Sequence, residues 1–407
     1  VVTASYFDRA LGKGADYARA PITSVRLHGK LWYHDNDTVS FKYDEINAAN
    51  PDRDTVARYR RELGVTETAE ETIWQYRRGA GFVLGSGVYQ SFFDLHGGYF
   101  DDPALMAEIQ RLNQLLDSSK EWEYGSIAEI LVLSDEVSCS YMTFESAFMQ
   151  QTLQPAQVQF AKMGAPHDSI LLEDLPLVDM SRYKMVIFLN CYHLTEEQRQ
   201  LIRERILCDG RTVLWCYAAG LFDGARTCLE NMHELTGFQF SYKPEAEKRR
   251  IQIVLTDSGR EACYGDMPSL PLCIGHEHIW AAPLVVFDED AVVLGTLEGG
   301  AETALARKIM SGWTSVYTMN PVLPAVCLRN FARQAGVHIF NDKDDTCYTS
   351  NWFIAINADG TAVRTILFPH MIKITEPLTG HCLAEGVMSY SRLMSDKETL
   401  LLRWDRE

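Results

Sequence analysis

The sequence predicts an α/β protein in three parts: two βα units, a doubly wound domain and a small all-β tail. Three observations predict it. Residues 30–34 and 88–95 are short aromatic and apolar runs that end in polar residues, each followed by a helical pattern. Residues 127–133, 184–190 and 211–217 are near-continuous apolar runs, as central parallel strands covered on both faces require. From about residue 345 the pattern turns to alternation between turns such as Ala358-Asp359-Gly360.

At 407 residues the chain is long for one domain, and its 46% apolar and 23% charged composition is that of a globular protein with sizeable cores. A formal net charge of −17 would repel a nucleic-acid backbone, so no nucleic-acid partner is expected. The ten cysteines include no Cys-x-x-Cys, which argues against a zinc ribbon or a thioredoxin-type motif. They are absent from the first 138 residues and several lie on apolar runs, as reduced thiols of a cytoplasmic protein would. No apolar stretch approaches the roughly 18 residues of a membrane span. The opening Val1-Val2-Thr3 carries neither a starting Met nor a signal-peptide pattern, so the chain reads as cut.

Taken in order, residues 1–20, with Tyr6 and Phe7, read as a loop descending into a helix. Pro21 suits the start of a short helix that ends at Gly29. A strand over 30–34 follows, then a polar excursion over 41–66. Thr68-Ala-Glu-Glu71 opens a helix with Thr as its cap, and Ser86-Gly87 closes it. A second strand runs from Val88 to Leu95, and its polar end includes Asp94 and His96. Asp102-Pro103 then caps an amphipathic helix carrying Leu105, Ile109, Leu112 and Leu115. Strand, helix, strand, helix means parallel strands, yet two strands cannot close a barrel.

Beyond Gly125, strands are expected at 169–172, 184–190, 211–217, near 250–255, 291–296 and 314–318, and at Val337–Phe340. A capped helix from Thr195 to Cys208 and another after Pro321 complete the doubly wound domain. The tail is expected to hold strands at 347–356, 361–368, 371–375 and 385–392. The domains so read are 1–120, 121–344 and 345–407.

Retaining glycoside hydrolysis needs two carboxyl groups about 5–5.5 Å apart, a nucleophile and an acid/base. Asp35, which closes the first strand, is the nucleophile candidate, with Asp37 second and further into the loop. Asp94 suits a sugar-hydroxyl ligand, and His34 lies in the same polar strand end. Trp32, Phe93 and Tyr99 are aromatic platforms for a pyranose ring. Cys216 ends a strand, but Trp215 and Tyr217 stand where a nucleophile elbow needs glycines, so a structural thiol is expected. His276 and His278 lack a further clustered ligand, and neither a metal nor a cofactor is expected.

Three stretches together carry a resemblance. Gly29-Lys-Leu-Trp-Tyr-His-Asp-Asn-Asp-Thr38 and Gly87-Val-Tyr-Gln-Ser-Phe-Phe-Asp-Leu-His-Gly-Gly-Tyr-Phe-Asp-Asp-Pro103 look like the last two barrel strands of family 42-like β-galactosidases. Residues 127–340, notably Phe188-Leu-Asn190, Leu194-Thr-Glu-Glu-Gln-Arg199 and Asp209-Gly-Arg-Thr-Val-Leu-Trp215, resemble that family's trimerisation domain. The resemblance implies a partial (β/α)8 barrel segment, a flavodoxin-like domain of the class I glutamine amidotransferase type without that activity, and a small C-terminal β domain. It also implies an oligosaccharide substrate, a homotrimer, and a nucleophile at the end of the seventh barrel strand. The family's Glu is matched here by Asp35, one methylene shorter. The family's acid/base, in an Asn-Glu pair after the fourth strand, has no counterpart in the chain, which is therefore expected to be inactive alone. The alternative is a non-catalytic assembly or sugar-binding module; a cysteine amidotransferase is the third reading.

Overall fold

The computed structural model describes residues 2–3, 9–94, 97–142, 147–224, 226–242, 248–266 and 270–406. Tyr6, Phe7 and His96 lie outside them. The chain divides into two compact units, one of residues 1–127, 161–166 and 339–407, the other of 128–160 and 167–338.

The first unit holds a three-stranded parallel sheet of β1 (Val2–Thr3), β2 (Tyr33–Asn36) and β3 (Tyr89–Phe92), with β2 in the middle. β1 is a strand where a loop was expected. Helix α1 (Ile22–Leu27) follows Pro21 and ends before Gly29, whose φ of 65° allows the reversal. The polar excursion is built on two short helices, α2 (Tyr43–Ile46) and α3 (Arg53–Glu62). Helix α4 (Ala69–Ser86) begins where its cap dictates: the Thr68 hydroxyl accepts from the Glu71 amide, and Gly87 leaves in the left-handed conformation. Helix α5 (Pro103–Ser119) is capped by Asp102, which accepts from the Ala104 and Leu105 amides.

Residues 346–406 form a five-stranded antiparallel sheet in the same unit. Its strands are Thr346–Thr349, Phe353–Asn357, Ala362–Thr375, Cys382–Met394 and Thr399–Arg406. The expected strands 361–368 and 371–375 are thus one, and the last strand was not anticipated. Its core is Ile354, Ile356, Ile366, Phe368, Ile372, Leu402 and Trp404. Helix α4 lies against this sheet through glycines: a Cβ on Gly81 would stand 2.5 Å from the Ala355 Cβ, and one on Gly85 2.7 Å from the Tyr348 Cβ. Buried Arg364 ties the sheet down, donating to both Asp345 oxygens at 2.8 and 3.0 Å.

The second unit is centred on an eleven-stranded mixed sheet. Its parallel part comprises β4 (Ile130–Ser134), β5 (His167–Leu171), β6 (Met185–Phe188), β7 (Thr212–Cys216) and the strand Trp313–Thr318. In space β5 and β6 flank β4, and the order continues through β7 to Trp313–Thr318. The helix Glu196–Arg205 has the full capping box, Thr195 and Gln198 each bonding the other's backbone. The wholly doubly wound expectation needs correcting here. Strand Thr303–Met310, which the sequence reading missed, pairs antiparallel with Trp313–Thr318, and further antiparallel strands follow. Only Ser311 and Gly312 connect the two strands, too short a link for a parallel crossover. Val337–Phe340 is not a strand; the Phe340 amide instead donates to the Gly164 carbonyl.

Candidate functional site

Alternation along β2 sends its side chains two ways. Tyr33 and Asp35 are half-buried on one face, while His34 and Asn36 are buried on the other. Register pairs Tyr33 with Tyr89, His34 with Gln90, Asp35 with Ser91 and Asn36 with Phe92. The His34 face is the covered one: His34 packs on Phe82 of α4 at 5.1 Å, and Phe92 meets Tyr76 edge-on at 5.3 Å. The opposite face, with Tyr33, Asp35, Ser91 and the 45% exposed Tyr89, is the more open.

Asp35 therefore sits near the carboxyl end of the middle parallel strand, on that open face. The Ser91 hydroxyl donates to its Oδ1 at 3.3 Å. Sequence reasoning missed Ser91, although two strands of the same phase already place it beside Asp35. Asp37, two residues on, forms an ion pair with buried Arg9 at 2.5 Å. Burial raises its carboxyl above the ordinary range, with Arg9 acting the other way. Phe93 extends past the end of β3, 44% exposed, with its amide on the Asn36 carbonyl.

Other candidates are placed differently. His34 faces away from Asp35, 2% exposed, its Nε2 3.8 Å from Asp16. Burial lowers its pKa to about 4, outweighing the pull of Asp16, so it is a neutral core residue and not a sugar ligand. Trp32 is 2% exposed and presents no face to a ligand. Tyr99 is 5% exposed, packed with Val39, Tyr43 and Val56, its ring stacked on Tyr43 at 6.4 Å. Both belong to the core because the chain folds over them, which aromatic character alone does not reveal. Asp94 organises its own loop, accepting from the Gly97 amide at 2.8 Å and the Tyr99 amide at 3.0 Å. Those bonds tie the carboxylate expected to bind a hydroxyl to its own loop.

In the second unit Cys216 is 1% exposed, and burial pushes its thiol well up. The left-handed position belongs to the next residue, Tyr217, at φ 58°, and its hydroxyl donates to the Ala282 carbonyl at 3.0 Å. An exposed activated thiol is not what this turn presents. Among the described residues no group of three or more potential metal ligands gathers, and no helix is long and apolar enough to cross a membrane.

No family model and no curated protein matches the chain in sequence. Solved structures do match in fold. The cold-adapted β-galactosidase of Rahnella sp. R3 superposes with a TM-score of 0.55 at 13% identity, over 83% of this chain and 51% of its own. The β-galactosidase of the Antarctic haloarchaeon Halorubrum lacusprofundi gives 0.53 at 9% identity, over 92% and 60%. The chain shares its fold with a portion of these β-galactosidases. The α-L-fucosidase isoenzyme 2 of Paenibacillus thiaminolyticus gives 0.55 at 11% identity, over 100% and 65%. The chain thus spans between half and two thirds of the length of the enzymes whose fold it shares. The resemblance read from its sequence stands at the level of fold.

Proposed function

We propose that this chain is the nucleophile-bearing part of a retaining glycoside hydrolase of the family 42 type, acting on β-galactosides or related oligosaccharides. One observation carries the reading: Asp35 stands near the carboxyl end of the middle strand of a parallel sheet, on its less covered face, with Ser91 holding one oxygen. Catalytic groups of (β/α)8 barrels occupy this end of the strands. In the proposed reaction Asp35 attacks the anomeric carbon as the aglycone departs, giving a glycosyl ester that water then hydrolyses. Phe93 supplies a platform beside it. Departure of an ordinary alkoxide needs a proton from a second carboxyl group. The sequence contains no Asn-Glu pair, and in this reading the proton comes from a carboxyl group on barrel strands outside these 407 residues.

The small parallel sheet is, in this reading, a partial barrel, and the central domain an amidotransferase-like trimerisation domain. Light scattering tests the homotrimer, which a monomer or dimer would overturn. Activity is tested with 4-nitrophenyl β-galactoside, and with the α-L-fucoside because a fucosidase shares the fold. The expected result is no turnover of either. Sustained turnover of the galactoside would show that the acid/base is present after all. Turnover of the fucoside alone would overturn the substrate assignment.

A further inference from the structure

The covered face of β2 and β3 is unusually polar. His34 Nδ1, Asn36 Nδ2 and both amide atoms of Gln90 are buried and have no hydrogen-bond partner among the described residues. Native structures leave few such groups unpaired, and four on three neighbouring residues need a common explanation. The Asn36 amide is fixed by its other end, where Oδ1 accepts from the Thr38 amide at 3.3 Å.

Two of these atoms, on Asn36 and Gln90, lie beside Gly79 of α4. A Cβ placed there would stand 2.8 Å from Asn36 Nδ2 and 3.6 Å from Gln90 Oε1. His34 lies directly opposite Gln90 in register, on the same face of the sheet. The chemistry is mixed. Asn36 Nδ2 and Gln90 Nε2 donate, Gln90 Oε1 accepts, and neutral His34 accepts at Nδ1 when its proton is on the Nε2 that faces Asp16. Two like-charged or all-donor groups would call for an ion. Donors and acceptors together on a covered face, where His34 packs on Phe82, call for water, which offers both.

We propose that His34, Asn36 and Gln90, beside the close approach of Asn36 to Gly79, form a built internal water site between β2–β3 and α4. Bound water spans the polar atoms and sets the spacing between the strand and the helix. The site lies on the opposite face of β2 from Asp35, so it stands or falls independently of the glycosidase reading.

Two experiments on the full chain test it. A high-resolution crystal structure is expected to show ordered water within hydrogen-bond distance of at least two of the three side chains, and water–protein cross-relaxation at the His34 and Gln90 protons should report long residence. The site is overturned if the Asn36 and Gln90 amides bond directly to each other with no water between them. The Gly79→Ala variant places a methyl against Asn36 Nδ2. It is expected to lose the long-lived water signal and to melt a few degrees lower, although alanine ordinarily favours a helix over glycine. A higher melting temperature with the water signal unchanged would also overturn the proposal.

Discussion

Arg78 is fully buried and donates from Nε to Asp16 at 2.8 Å, while its terminal nitrogen reaches the Arg9 carbonyl at 2.9 Å. Burial pushes the Asp16 carboxyl up, but the combined pull of Arg78, His34 and Arg9 leaves it below its ordinary value. Arg78→Ala would strand that carboxylate in the interior. The expected loss is about 3–5 kcal/mol in denaturant melts. His34 adds a pH dependence. An unfolded chain takes up a proton near pH 6.5 that the folded imidazole refuses until about pH 4. Stability is therefore fully present above that window and falls as pH drops through it. His167 is lowered to about 4 by burial too, so His34→Gln should remove about half of the slope contributed by the pair. An unchanged slope in melts between those pH values would refute the assignment. Alternation alone dictates that His34 and Asp35 point to opposite faces, so a shared cleft for both was already excluded by the sequence. The burial of Trp32 and Tyr99 was not legible there, because it depends on which segments fold over them.

At the level of elements, helices were readable where their ends carry side-chain chemistry. Thr68, Asp102 and Thr195 each cap the helix they were expected to start. The missed strands show the converse. Thr303–Met310 carries Arg307 and Lys308 among its apolar residues, and Val2–Thr3 offers only two residues to read. Helix α4 illustrates packing that residue type only hints at. Its glycines lower intrinsic helix propensity, yet two of them let it approach the five-stranded sheet. Gly81→Ala should accordingly destabilise by about 1–3 kcal/mol through overpacking against Ala355. Urea melts showing stabilisation would contradict that close approach.

For the whole molecule, the α/β character was legible from periodicity, whereas the grouping into units was not. Residues 346–406 share a compact unit with the residues around Asp35, joined through α4, while the chain between them builds the second unit. Such long-range grouping leaves no mark on local pattern. The central claim is that Asp35 is a glycosidase nucleophile, and an activated sugar tests it without the second carboxyl group. A dinitrophenyl 2-deoxy-2-fluoro-β-galactoside has a leaving group that departs unprotonated, and its glycosyl ester hydrolyses slowly. Peptide mapping by mass spectrometry after incubation is predicted to find one fluorogalactosyl group, on Asp35, and none in Asp35→Asn. An adduct on a different carboxylate, no adduct at all, or equal labelling of the Asn variant would contradict the account.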